Sequence, residues 1–130
     1  MERRPGGGAP RKSRRLSRSA EFERVYREGR SRANRYLVLY GFPRGGGEGA
    51  RLGVSVSRKV GGAVDRSRVK RLLREAFRAR AAELPPDHDF VLVARPDARE
   101  LAEREGAVGI ERVVSELLAE AGFDGGGKTS

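Results

Sequence analysis

The segment that most restricts the fold is Ser57–Arg80, S-R-K-V-G-G-A-V-D-R-S-R-V-K-R-L-L-R-E-A-F-R-A-R. Val69, Leu72, Leu73, Ala76 and Phe77 recur at i, i+3, i+4, i+7 and i+8, the spacing of one helical face. Lys70, Arg71, Arg74 and Arg78 project from the other side. A chain with this segment must bury one stripe of a helix in a core while presenting a basic face to something anionic. Gly61-Gly62 breaks the chain ahead of the helix, and either Gly62 or Asp65 serves as its N-cap. The helix is expected to run to about Ala82, with Pro85-Pro86 ending it.

The placement of charge narrows the partner. The chain of 130 residues has a net charge of +10, and nine of its 28 Lys and Arg lie in this one segment beside two acids. The first 80 residues carry a net +16, and the remainder is acidic. That polarity points to a partner with phosphates along one side. A membrane surface is anionic too, but no basic helix here has an apolar face free to enter lipid, and no long apolar run is present. The basic N-terminus lacks the apolar stretch of a secretory signal. With no cysteine, a disulfide framework and a thiolate metal site are excluded, which is compatible with the cytosol.

The length suits one domain. Residues 1–15 are Gly/Pro-rich with little to bury and read as a basic tail, either simply solvated or an arm that orders on phosphate. A single domain is expected over 16–121, and a flexible tail over 122–130. Ser19–Glu28 reads as a short helix, with Ser19 as candidate N-cap, Glu21 and Glu23 at its positive end and Gly29 as its stop. Tyr36–Phe42 alternates as a strand, with Tyr36, Val38 and Tyr40 on one face and Leu37 and Leu39 on the other. After the flexible P-R-G-G-G-E-G-A connection, Arg51–Ser57 is a second strand. It is expected to pair antiparallel with the first, given the loop length. Leu52, Val54 and Val56 point one way; Gly53, Ser55 and Ser57 point the other. Asp89–Ala94 is a buried-type strand. Val108–Ala121 is a final amphipathic helix, with a possible helical turn at Leu101–Glu105 before it. The order α-β-β-α-β-α describes an α+β fold, a small sheet layered with helices.

Nothing in the chain suggests bond chemistry. The single histidine, His88, sits in D-H-D after the di-proline turn and is expected on a solvent-exposed loop, where three consecutive residues do not converge on a metal. No serine has a plausible His/Asp pair, and the G-G-G runs lack the strand–GxxxxGK[ST]–helix context of a phosphate loop. Two surfaces remain. Lys70, Arg74 and Arg78, spaced by four, form a stripe about 12 Å long at 1.5 Å per residue, widened by Arg68 and Arg71. The basic residues continue upstream through Arg58 and Lys59. Phe22 and Tyr26 of the first helix, with Tyr36 and Tyr40 of the first strand, are either ordinary core or a groove on which unpaired bases stack.

The segment Ser55-Val56-Ser57-Arg58-Lys59-Val60-Gly61-Gly62-Ala63-Val64-Asp65-Arg66-Ser67-Arg68-Val69-Lys70-Arg71-Leu72-Leu73-Arg74-Glu75 resembles the signature of bacterial ribonuclease P protein subunits, approximately S-x-[KR]-[KR]-[VI]-G-x-A-V-x-R-N-R-[VI]-K-R-x-[IL]-R-E. Phe22-x-x-Val25-Tyr26-x-x-Gly29, Ala33-Asn34-Arg35 through Tyr40, and the Val91–Arg95-Pro96 strand end are also similar to that family. The likeness covers about residues 14–121. One position departs: the family's central R-N-R reads Arg66-Ser67-Arg68. Serine donates and accepts but cannot span the distance, or make the paired contacts, of an amide.

The resemblance implies a two-layer α/β sandwich like the second domain of ribosomal protein S5, with a left-handed crossover around the basic helix. It implies a cytoplasmic partner of a large catalytic RNA, one protein per RNA, in an enzyme that removes the 5′ leader of precursor tRNA. The RNA and its magnesium ions would do the hydrolysis, and the protein would supply no catalytic residue and hold no metal. Arg58, Lys59, Arg66, Ser67, Arg68, Lys70, Arg71 and Arg74 would meet the catalytic RNA. Phe22, Tyr26, Tyr36, Tyr40 and Ser55 would form a cleft for the single-stranded leader. The alternative is a structural RNA-binding protein of ribosomal type with no substrate contact.

Overall fold

A computed structural model describes residues 14–15, 19–47 and 49–123. The remaining N-terminal arm and the C-terminal tail from residue 124 lie outside the described residues. In chain order the elements are β1 (Arg14–Arg15), α1 (Ser19–Glu28), β2 (Arg30–Ala33), β3 (Leu37–Pro43), β4 (Arg51–Val56), α2 (Ala63–Arg80), β5 (His88–Ala94) and α3 (Asp97–Glu120). A single 3₁₀ turn, Ala81–Glu83, follows α2. Gly62 is the N-cap of α2, in extended backbone and without a side-chain cap bond, while Asp65 lies in the first turn, where a carboxylate favours the positive helix end.

The five strands form one mixed sheet in the order β1-β4-β5-β3-β2. The antiparallel hairpin expected from the two early strands does not form. β5 lies between them, antiparallel to β3 from Leu37↔Ala94 to Pro43↔His88 and parallel to β4 from Arg51↔Asp89 to Val56↔Ala94. The 44–50 connection therefore crosses the start of β5, and its backbone bonds there: Arg44 and Gly45 donate to the Asp87 carbonyl (2.8 and 3.1 Å), and Gly49 to that of Pro86 (2.9 Å). Loop length alone could not distinguish a direct turn from this step across one strand, which is about 10 Å wide.

β1 and β2 had no sequence signal. Every residue of β2 is exposed, so it has no apolar alternation to betray it. It is joined to β3 by ladder bonds and by a turn in which Asn34 Oδ1 accepts from the amides of Tyr36 and Leu37, each at 2.8 Å.

Strand alternation sorts the core. Leu37, Leu39, Leu52, Val54, Val56, Phe90 and Leu92 face α2 and α3, where they meet Leu72, Leu73, Phe77, Leu101, Ile110, Val114 and Leu117 in one buried cluster. Phe77 and Phe90 are tilted together at 5.5 Å between centroids. The opposite face carries α1, whose Val25 is buried against Val91, with Phe22, Tyr40, Phe42 and Val93 around them. The final helix starts earlier than expected, at Asp97, and is broken at Gly106 (φ 62°, ψ −147°), backbone that a side chain strongly disfavours. Phe123, placed by sequence in the tail, is 4 % exposed and closes over Gly41, where an added Cβ would lie 2.5 Å from its ring.

His88 is also not on an exposed loop. It opens β5, and Asp89 is fully buried. Its carboxylate accepts two bonds from Arg51, Nε to Oδ1 and Nη2 to Oδ2, both 2.8 Å, and one from Arg44 Nη1 to Oδ1 at 2.8 Å. Arg44 also donates to the carbonyls of His88 (2.8 Å) and Gly49 (2.9 Å). Arg51 reaches Glu21 of α1 at 3.2 Å. Removing one partner of such a group strands the other charges. Asp89→Asn is therefore expected to cost about 3–5 kcal/mol in urea unfolding. Gly106→Ala is expected to cost about 1–3 kcal/mol through backbone strain alone. A wild-type unfolding midpoint for either variant would contradict the corresponding account.

Candidate nucleic-acid interface

Helix α2 buries Val69, Leu72, Leu73, Ala76 and Phe77, the stripe read from sequence. Ser67, Arg71 and Arg78 are exposed along its outer ridge, and Arg58 and Lys59 are exposed in the loop that leads to it. Lys70 is half-buried beside them. Among the described residues, no ion pair engages Arg58, Lys59, Lys70, Arg71 or Arg78; Asp65 instead pairs with Arg99 at 3.7 Å. These cations are not tied up in ion pairs, although Glu75 is exposed on the same helix and Asp97, Glu100 and Glu103 line one pocket with Lys59. The two arginines of Arg66-Ser67-Arg68 behave differently. Arg66 Nε donates back to the Gly61 carbonyl (3.2 Å), and Arg68 Nη2 donates to the Ala102 carbonyl of α3 (3.1 Å). Arg74 is half-buried and also engaged.

On the other face, α1 packs on the sheet. Its Phe22 ring lies on β4 at Gly53, where any Cβ would come within 2.4 Å of the ring. Glycine here is what lets helix and strand approach. Phe22 and Tyr26 meet edge-on at 6.3 Å, and Tyr26 and Tyr40 at 4.8 Å. Tyr26 is 39 % exposed and hydrogen-bonds Ser55. Burial pushes its phenol above the ordinary range; the Ser55 bond opposes this and the neighbouring Tyr40 adds to it. Beside these rings, Val38, Val93 and Ser55 stand in one register row across β3, β5 and β4, all half-buried. They form the floor of an aromatic cleft with one polar wall. Alternation places Val38 on the Tyr40 face, but neither it nor Val93 was named as a site residue from sequence. Their signal was present in strands apolar on both faces, one of which a short helix only partly covers.

Tyr36 does not belong to this cleft. The Asn34 turn takes its amide, β3 begins one residue later, and the ring packs against the main core with the Arg35 guanidinium 5.8 Å above it. Strand parity assigned Tyr36 to the Tyr40 face, and the turn ends that parity.

The two surfaces meet. β4 and β5 are parallel, so both deliver their following segments at the same end of the sheet. Ser55 of the cleft is three residues from Arg58 of the basic loop. His88 is at the opposite end of β5, stacked on Phe90 (5.7 Å) with Nδ1 2.8 Å from Asp87. Among the described residues, no cluster of three or more His, Cys, Asp or Glu forms a metal-binding group, and no helix is long and apolar enough to cross a membrane. The arrangement is equipped to bind a polyanion and stack flat rings.

Comparison with known proteins agrees with this geometry. A sequence model of the ribonuclease P family matches residues 11–118. The ribonuclease P protein component of Shouchella clausii is 45 % identical over 103 residues, covering 79 % of this chain and 84 % of that protein. That of Clostridium novyi is 42 % identical over 113 residues, covering 86 % and 96 %. The structure of the Staphylococcus aureus RNase P protein superposes with a TM-score of 0.73 at 32 % identity, covering 85 % of this chain and 96 % of that one. The Thermotoga maritima RNase P protein gives 0.69 at 33 % identity, covering 79 % and 94 %. With the mixed sheet, the basic α2 and the aromatic cleft all in place, this chain belongs to the ribonuclease P protein family.

Proposed function

We propose that the chain joins the catalytic RNA of ribonuclease P through the α2 face and holds the single-stranded 5′ leader of precursor tRNA in the neighbouring cleft. The RNA-facing set is Arg58, Lys59, Ser67, Lys70 and Arg71, with Arg66, Arg68 and Arg74 alongside. The leader cleft is Phe22, Tyr26, Tyr40 and Ser55 over Val38 and Val93. One protein serves one RNA in the cytoplasm, and the RNA with its magnesium ions cuts the phosphodiester bond.

The observation that carries this reading is the approach of two unlike surfaces at one end of the sheet, where β4 runs from Ser55 to the Arg58–Lys59 loop. Cations not tied up in ion pairs suit a phosphate backbone, because each neutralised phosphate releases condensed counterions. Half-exposed tyrosine rings suit unpaired bases, since every base has a face to stack. A strand leaving the cleft past Ser55 passes directly to the basic loop, so one RNA held on α2 and another threaded through the cleft are brought together.

Adding the protein to a bacterial ribonuclease P RNA at low magnesium is expected to restore leader removal. Cleavage by the protein after all RNA has been digested would overturn the assignment of chemistry to the RNA. Tyr26→Ala is expected to stay folded and bind the catalytic RNA. It should lose about tenfold in preference for leader-bearing over mature tRNA, within the range of one stacked base. Equal losses for both tRNAs would favour a purely structural RNA-binding role. Arg71→Ala is expected to flatten the salt dependence of catalytic-RNA binding by about 0.7–0.9 in log–log slope, the signature of one lost phosphate contact.

A further inference from the structure

The motif Arg66-Ser67-Arg68 sits in the part of α2 that the core holds least. The first side chain of α2 to be buried is Val69. The residues ahead of it within the helix, 63–68, are exposed or half-buried, with Val64 82 % exposed. Hydrophobic packing therefore grips the helix from Val69 onward and leaves its first one and a half turns to polar contacts. Two such contacts reach α3. Asp65 and Arg99 are 3.7 Å apart with both side chains substantially exposed, a weak link in water. Arg68 Nη2 donates to the Ala102 carbonyl at 3.1 Å in a part-buried setting, and Ala102 itself is 1 % exposed.

The acceptor has a particular character. Gly106 breaks α3, so Ala102 lies in the last turn of the segment that begins at Asp97. Carbonyls at a helix C-terminal end carry its negative pole and run short of intrahelical donors. A guanidinium there both satisfies a carbonyl and meets favourable charge. Arg66 meanwhile turns back to Gly61 at 3.2 Å. With its neighbours drawn to either side, Ser67 is left exposed between them.

We infer that Arg68 is a positioning residue: it acts through the Ala102 carbonyl to fix the N-terminal turns of α2 on α3, and it supports RNA binding by holding the exposed ridge in place, not by neutralising a phosphate. This rests on the reading of α2 as the RNA-facing helix. It separates two jobs that the basic composition of the segment merges. Lys70 and Arg71 supply charge to the partner, while Arg68 spends its donor on the scaffold.

Salt dependence distinguishes these jobs, because only a phosphate contact changes the number of counterions released. The full chain and three variants, Arg68→Ala, Arg68→Met and Arg71→Ala, are titrated onto a bacterial ribonuclease P RNA across a series of potassium chloride concentrations. Amide hydrogen exchange is measured on the free proteins. Arg68→Ala is expected to weaken binding by roughly fivefold to tenfold at every salt concentration, the scale of one ordinary hydrogen bond, with the slope unchanged. Protection of amides 66–69 should fall in the free protein. Arg68→Met keeps the apolar stem and should behave the same, so the test survives if the alanine variant does not fold. A slope lowered as far as in Arg71→Ala, with exchange unaltered, would make Arg68 a phosphate contact and overturn the inference. So would unchanged affinity. If Arg71→Ala also leaves the slope unchanged, the assignment of α2 to RNA fails instead. The exchange measurement then still decides whether Arg68 tethers the helix.

Discussion

The buried carboxylate of Asp89 is the constraint on which the architecture rests. It has no solvent exposure and is bonded by Arg51 in a two-pronged pair and by Arg44 in a third contact. Burying an ion costs several kcal/mol before any partner is counted, so such a group is a poor source of net stability. What it does supply is register. Arg51↔Asp89 is the first rung of the parallel β4–β5 pairing, and a slip of one residue would turn every side chain of β5 to the wrong face. The same two arginines hold the 44–50 connection and the start of α1. The rows that build the cleft, Tyr40–Val91–Gly53 and Val38–Val93–Ser55, follow from that one rung. A charge network at one end of the sheet thus sets the geometry of an aromatic surface nearer the other.

Much of this was legible in the chain, for reasons specific to each element. The α2 stripe was readable because all five of its apolar residues obey one helical period and all five are buried. β3, β4 and β5 were readable from alternation or apolar runs. Their neighbours in space were not, because alternation reports which face is buried and says nothing of which strand lies beside it. β2 has no apolar residue directed at the core; it is held by backbone pairing and by two arginines, Arg30 over the Phe123 ring at 4.7 Å and Arg32 beside Glu120 at 3.9 Å, contacts that a strand pattern does not encode. Asp89 was placed at the head of a buried-type strand, but the burial of its charge was not foreseen, for a related reason. A carboxylate in a loop-like D-H-D reads as solvated unless the two guanidiniums that will bury with it, 38 and 45 residues away, are known in advance.

The candidate site divides the same way. Residue chemistry and spacing brought Phe22, Tyr26, Tyr40 and the α2 cations to attention, and resemblance to a family's pattern gave them roles. Tyr36 was grouped with Tyr40 by period, and the period stopped at the Asn34 turn. Arg66 and Arg68 were counted as equal members of a basic face, yet both bond to backbone carbonyls that lie outside the helix. Charge counting sees a guanidinium wherever it points. Only the fold distinguishes one turned to solvent from one turned to a neighbouring helix.

The central position of β5 also governs the order in which this protein can be made. β4 is complete by Val56, but among the described residues its only earlier partner is the two-residue β1, and its long ladder is with a strand that ends at Ala94. β3 likewise waits for β5 to cover its second edge. Native pairing in the middle of the sheet is entirely long-range, which slows folding because loop closure precedes any reward. An emerging chain therefore displays its most basic stretch before the strands that flank it can zip together. The last described residue, Phe123, then closes the core over Gly41 and Phe90. Among the described residues, an N-terminal portion that stops short of β5 has only the β2–β3 hairpin and the two-residue β1–β4 pairing, and an isolated hairpin is marginally stable at best in water.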